Sequence, residues 1–272
     1  MTDAKKELSA DEILQMEDPY FELQAFVGTT KHMGGLKATD ELVELCRIGK
    51  DSYVLDVGCG AGATPAYLAK QHGCRVVGVD IRDEMVDLAK GRARREGVQD
   101  TVELKVADAR QLSFEDAVFD AVLVESVTSF IQDKARVIAE CARVAKPGGY
   151  VGLNEDTWLK ARPPEELVEY AALTWGGTTP ETASGWKQLL EGAGLQDIAV
   201  RTFEIKVGRE SSQIQRYGMS DMLRMGVRSL RLYFKPAFRK YMKERLAMPK
   251  DLWQYLGYGL YVGRKQGALA NR

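Results

Sequence analysis

The sequence predicts an α/β fold: a seven-stranded, mostly parallel sheet with helices on both faces and a helical insertion before the last strand. Three observations predict it. Val54-Leu55-Asp56-Val57 is apolar enough for a strand buried on both faces, and it runs into Gly58-Cys59-Gly60-Ala61-Gly62 and a helix-like stretch from Pro65 to Gln71. Three further apolar runs each end in an acid: Arg75 to Asp80, Val106-Ala107-Asp108-Ala109, and Phe119 to Glu125-Ser126. Ala145-Lys146-Pro147-Gly148-Gly149 then turns into a fifth run, Tyr150 to Asn154. Strands that alternate with helical periodicity in this way build a parallel sheet.

Length and composition set the bounds. A chain of 272 residues has room for one large α/β domain with additions. Its 45% apolar and 28% charged residues are ordinary for a soluble globular protein. A net charge of −1 gives no global field for nucleic acid. Cys46, Cys59, Cys74 and Cys141 are scattered, and no apolar leader opens the chain, so reduced thiols and a cytoplasmic location are expected. No run approaches the length of a membrane span. His32 and His72 have no companion ligands in sequence, so no metal is expected.

The elements follow in order. Ser9-Ala10-Asp11-Glu12 has the spacing of a capping box, and residues 1–35 form an expected helical lid in which Tyr20 and Phe21 wall a site. Met33-Gly34-Gly35 is a hinge, with Thr39 as N-cap of a helix to Cys46. A helix from Asp83 to Glu96 exposes Lys90, Arg92, Arg94 and Arg95, and another runs from Asp133 to Val144. The fifth strand is expected to end at Asn154, leaving Glu155 and Asp156 at its carboxyl end, where they could orient or deprotonate a second reactant. Helices follow at 165–174 and 184–193, then a strand from Ile198 to Val207. The core thus spans 36–207. Residues 208–254 are a basic helical insertion rich in methionine and aromatics, which could lie on an anionic bilayer or cap an active site; 255–272 hold the last strand and tail.

The glycine turn alone does not name a ligand; its acids narrow the choice. Asp56, two residues before Gly58, would face a pyrophosphate with like charge at a cost of roughly a kcal/mol or more. A ligand carrying an ammonium and a sulfonium suits it better. Asp80, 18 residues beyond Gly62, stands where a carboxylate accepts two ribose hydroxyls. With Asp56, Asp80, Asp108 and the Lys-Pro-Gly-Gly turn, the chain resembles the class I S-adenosylmethionine-dependent methyltransferases of Rossmann-like fold, in the group acting on small or lipid-like acceptors (UbiE/Coq5-like). The resemblance is close over Leu36 to Asn154. It implies that Gly58, Cys59, Gly60 and Gly62 let the backbone approach S-adenosyl-L-methionine, and that Asp56 assists the methionine ammonium. It further implies Asp80 on the ribose, Ile81 and Met85 on the adenine faces, Asp108 with the Ala109 backbone on the adenine amine, and Glu125-Ser126 beside the methyl. Glu155, Asp156 and Tyr20 are the candidate catalytic residues, with Tyr217 as a helper. The implied acceptor is small and lipophilic or aromatic, such as a quinone. Two other readings stay open: a nicotinamide-dependent oxidoreductase, which would not need Asp56 or Asp108, and a non-catalytic, cofactor-binding or membrane-recruited regulator.

Overall fold

The computed structural model describes residues 9–14, 16, 20–28, 30, 32–174, 177–206, 212, 217–245 and 248–267. They fall into two compact units, one drawn from Met1–Thr30 and Tyr217–Met248, the other from Lys31–Arg216 and Pro249–Arg272.

The larger unit is built on one sheet. Its strands are β1 (Tyr53–Val57), β2 (Arg75–Asp80), β3 (Val102–Val106), β4 (Phe119–Glu125), β5 (Ala145–Trp158), the two-residue β6 (Glu181–Thr182), β7 (Leu195–Glu204) and β8 (Leu256–Lys265). The order is β3-β2-β1-β4-β5-β8-β7, with β6 beside β5. The first five strands are parallel, and β8 runs antiparallel between β5 and β7. The expected sheet is therefore found, with β6 as an eighth, minimal strand.

Alternation along the strands sorts the core into two layers. Val54, Val76, Ala121 and Leu123 pack on one face against Ala38, Leu42 and Val43 of a helix at Gly35–Leu45 and Val86, Ala89 and Ala93 of a helix at Asp83–Glu96. Leu55, Val57, Val77, Val79, Val122 and Val151 pack on the other, against Val137, Ile138 and Cys141 of a helix at Lys134–Val144 and Trp186 and Leu190 of a helix at Ala183–Gly192.

Helices are numbered in chain order: α1 (Ala10–Leu14), α2 (Tyr20–Val27), α3 (Gly35–Leu45), α4 (Ala63–Tyr67, extended by a π-helical turn at Leu68–His72), α5 (Asp83–Glu96), α6 (Lys134–Val144), α7 (Glu165–Thr174), α8 (Ala183–Gly192), α9 (Met219–Tyr233), α10 (Pro236–Arg245) and α11 (Leu252–Tyr255). In the smaller unit Ala10, Ile13, Leu23 and Leu232 form the core. The capping box at its start is made: Ser9 N–H donates to Glu12 Oε2 at 2.7 Å and Glu12 N–H to Ser9 Oγ at 3.3 Å.

Four local expectations are corrected. Strand β3 ends at Val106, so Asp108 lies in the loop beyond it. Helix α3 starts four residues before Thr39, after Gly34 in the left-handed region (φ 74°), so Thr39 is an interior, buried residue and caps nothing. Arg92 is buried: its Nε donates to Ala61 O at 3.0 Å and its Nη1 meets Glu96 at 3.2 Å, so α5 braces the glycine turn. Strand β5 continues to Trp158 because Glu155 to Trp158 pair with Leu256 to Gly259 of β8. Glu155 and Asp156 are thus inside a strand.

Candidate active site

A period of two puts the strand-end polar residues on one side of the sheet. Asp56 shares the face of Val54, Asp80 that of Val76, Glu125 that of Leu123, and Asn154 and Asp156 that of Gly152. Three carboxylates thereby converge at the carboxyl ends of β1, β2 and β4, with Asp156 of β5 on the same face. Ligands bind at this end of an open parallel sheet. Glu155, one residue out of phase, faces the other layer, so it and Asp156 cannot work as a pair.

The turn after β1 folds back on β2. Gly58 and Cys59 both donate their N–H to Val79 O, at 2.7 and 2.9 Å, while Gly60 N–H donates to Asp80 Oδ2 at 2.9 Å. Gly58 and Gly62 hold φ of 74° and 77°. A Cβ on Gly58 would strike Val127, and one on Gly62 would lie 2.7 Å from Ala89, so neither turn position admits a side chain. Burial and then the charges of Asp56 and Asp80 push the Cys59 thiol well above its ordinary range, so it stays protonated and offers no nucleophile.

Asp80 is half-buried. Its Oδ1 accepts from Arg82 N–H at 3.0 Å, yet burial raises its carboxyl above the usual 3.8. Ile81 beside it is 60% exposed, whereas Met85 is buried in the core. Asp108 is held by Arg110, whose guanidinium donates at 2.7–3.1 Å and whose backbone N–H donates at 2.8 Å; this pairing lowers the Asp108 carboxyl. Ala109 is buried at the same loop.

Glu125 is the hub that the sequence hid. Thr39 Oγ1 donates to it at 3.0 Å and Thr64 Oγ1 at 3.0 Å; Asn154 Nδ2 lies 3.4 Å away and His32 Nε2 3.4 Å away. Asn154 Nδ2 also donates to Met33 O at 2.8 Å and faces His32 Nδ1 at 3.0 Å. His32 Nδ1 also lies 3.2 Å from Met33 O, and its Nε2 lies 3.2 Å from Thr39 Oγ1, so both ring nitrogens have polar partners. The cluster joins the segment before α3, α3 itself, the start of α4, the end of β4 and the interior of β5. Ser126, next in chain, is held in the left-handed region (φ 55°) by its N–H to Asn154 O at 2.7 Å, and its Oγ accepts from Met33 N–H at 3.4 Å.

Glu155 is fully buried and clamps the loop after β4. It accepts N–H bonds from Val127 (3.1 Å), Thr128 (2.8 Å) and Ser129 (3.1 Å) and the Ser129 hydroxyl (2.8 Å). Burial outweighs these bonds and raises its carboxyl. The acid is a clamp on backbone, not a base presented to an acceptor. In the smaller unit, Tyr217 uses its hydroxyl on Thr30, donating to O at 2.6 Å and accepting from N–H at 3.0 Å. The Tyr20 side chain lies outside the described residues.

Comparison with known proteins agrees with this geometry. A family model for the methyltransferase domain matches residues 55–153. A Haemophilus influenzae protein of unassigned function is 30% identical over 213 residues, 77% of this chain and 84% of that protein. The phosphoethanolamine N-methyltransferase of Triticum aestivum is 32% identical over 175 residues, 64% of this chain but 33% of that protein. The norajmaline N-methyltransferase of Rauvolfia serpentina is 36% identical over 131 residues, 44% of this chain and 45% of that protein. This chain thus spans less than half the length of either named enzyme. In fold it is similar to Haemonchus contortus phosphoethanolamine N-methyltransferase 2, solved with phosphomonomethylethanolamine and S-adenosylhomocysteine (TM-score 0.70, 18% identity, 95% of this chain and 61% of that one). It is also similar to the [4+2]-cyclase SpnF (TM-score 0.67, 20% identity, 96% and 98%).

A parallel sheet with a glycine turn and acids at its carboxyl edge defines a nucleoside-binding α/β enzyme. The chain belongs to the class I S-adenosylmethionine-dependent methyltransferases, and its cofactor is S-adenosyl-L-methionine.

Proposed function

We propose that the enzyme methylates a small acceptor that is neutral or cationic and has an apolar body. The observation that carries this reading is the set of acids on one face of the carboxyl edge: Asp56, Asp80, Glu125 and Asp156. A cationic cofactor is favoured beside them, and an anionic acceptor such as a phosphate ester is opposed by the same field. The lipophilic or aromatic acceptors expected from the sequence, quinone-like molecules included, meet that requirement. An alkaloid amine, as in the name of the Rauvolfia relative, meets it too.

The residues fit the cofactor. The side-chain-free glycine turn leaves backbone at the sheet edge, Asp80 has a half-buried carboxylate there, and Asp56 is an acid beneath it. When bound, S-adenosylmethionine supplies an electrophilic methyl on a good leaving group. The chain's own work is then to bind, orient and exclude water, which can supply several kcal/mol of the barrier. Asp80 takes the ribose hydroxyls and Asp56 assists the ammonium. Gly58, Cys59, Gly60 and Gly62 give backbone contact. Ile81 covers the adenine, with Met85 supporting it from the core, and Asp108 and Ala109 meet its amine once Arg110 yields. Glu125 and Ser126 stand nearest the reacting groups. Of the three catalytic candidates, Asp156 keeps the correct face, Glu155 serves the loop, and Tyr20 belongs to the expected helical lid.

Methyl-labelled S-adenosylmethionine incubated with the protein and a lipid-plus-metabolite extract tests the acceptor class. Label in a neutral or amine-bearing, organic-extractable product is the expected result. Label confined to phosphorylated, water-soluble products would overturn it.

A further inference from the structure

The smaller unit presents an apolar surface outside its core. Helix α9 turns Asp221, Arg228 and Leu232 inward: Leu232 is fully buried and the Arg228 guanidinium donates to Phe26 O at 2.8 Å. On the opposite side Met219, Leu223, Leu230 and Phe234 are 57–87% exposed, and Met222, Val227 and Tyr233 are 44–60% exposed. At helical spacing these residues make one continuous stripe along the helix. Large apolar side chains scattered singly need no explanation, but an aligned stripe of seven marks a docking face.

Its charges select the occupant. Residues 219–243 hold seven Lys and Arg against one acid, in a chain whose net charge is −1. That acid, Asp221, is buried and paired with Arg224 at 3.3 Å. Arg224 and Arg231, two helical turns apart, border the stripe, and Arg239, Lys240 and Lys243 are exposed on α10. A second copy docking through the same patch would bring like charges together, because a two-fold interface opposes a surface to itself. An anionic bilayer satisfies both features at once: the apolar side chains enter the acyl boundary and the cations reach the headgroups. Among the described residues no helix is long and apolar enough to cross a membrane, so contact would be in the interface plane.

We propose that the outer face of α9, with the cations of α10, docks this protein on the surface of an anionic lipid bilayer. The surface is independent of which acceptor is methylated. The test is flotation of the full chain with vesicles of phosphatidylglycerol and phosphatidylcholine, or of phosphatidylcholine alone. Binding to the anionic vesicles only, weakened by added salt, is expected. The double variant Leu223→Glu/Leu230→Glu is expected to lose at least about tenfold in partitioning, and Arg231→Gln and Lys243→Gln about fivefold each. Both sets should keep the wild-type melting curve and cofactor affinity. The proposal is overturned by equal binding to neutral vesicles, by no binding to either, or by anionic binding that ignores the stripe variants. A dimer in sedimentation equilibrium that Leu223→Glu/Leu230→Glu dissolves would overturn it in favour of self-association.

Discussion

Single residues carry the sharpest consequences. Gly34 sits at φ 74°, and a Cβ there would lie 2.6 Å from the buried ring of Tyr258. Gly34→Ala should therefore cost about 1–3 kcal/mol in urea unfolding. Glu155→Gln replaces an acceptor-only carboxylate facing four donors with a group that must turn an N–H₂ toward some of them. A loss of about 2–3 kcal/mol of stability is expected, without the displaced acidic limb in the rate–pH profile that a catalytic base would produce. Asp80 has a sign of its own. Because burial raises its carboxyl, protonation stabilises the free protein below the ordinary carboxylate pKa, and that gain is lost as pH rises through the raised value. Cofactor binding needs the ionised acid, so affinity should be full at neutral pH and fall on acidification sooner than for an ordinary aspartate. Asp80→Asn should flatten that pH dependence in calorimetric titrations. Asp108 runs the other way: Arg110 lowers its carboxyl, so its contribution persists above the ordinary range and fades only in stronger acid.

At the scale of elements, α5 and the glycine turn depend on each other. The Arg92 Nε bond to Ala61 O is the link, and Arg92→Met keeps the buried bulk while removing it. A modest loss of stability, about 1–3 kcal/mol for the carbonyl left unbonded, should come with weaker cofactor binding. Scanning calorimetry with and without cofactor reads both. Arg92 also shows where periodicity misleads. An arginine in Lys90-Gly91-Arg92-Ala93-Arg94-Arg95 reads as solvated, and the turn's carbonyl, 31 residues away, together with Glu96 gives the buried guanidinium its partners. Strand ends were misplaced for a similar reason. Asn154 looked terminal because polar residues follow it, but β8, about a hundred residues later, pairs with Glu155 to Trp158 and extends the strand. By contrast the capping box, the glycine turn and the acids of β1, β2 and β4 were legible, because each is a local pattern with a local cause. The Glu125 cluster was not. His32 and Asn154 meet across 122 positions, and Thr39 looked like a cap because a threonine ahead of an apolar run usually is one. One signal was available: alternation from Asp56, Asp80 and Glu125 already puts those acids on one face.

For the whole molecule, the sheet order brings the acid-bearing ends of β1, β2 and β4 to one edge, with Asp156 of β5 on the same face, and a family of known chemistry supplies the cofactor. The smaller helical unit carries a separate, cationic and apolar surface. Charge is thus divided: acids gather at the sheet's carboxyl edge and cations along α9 and α10, while the chain as a whole stays near neutral. Calorimetric titration of S-adenosylmethionine into the wild type, Asp56→Asn and Asp80→Asn tests the central claim, that the acid-lined edge holds this cation, most directly. Both variants, folded by circular dichroism, should bind about tenfold or more weakly, the loss expected when a charged hydrogen bond to a bound ligand is removed. Affinity equal to wild type in both variants would contradict the account.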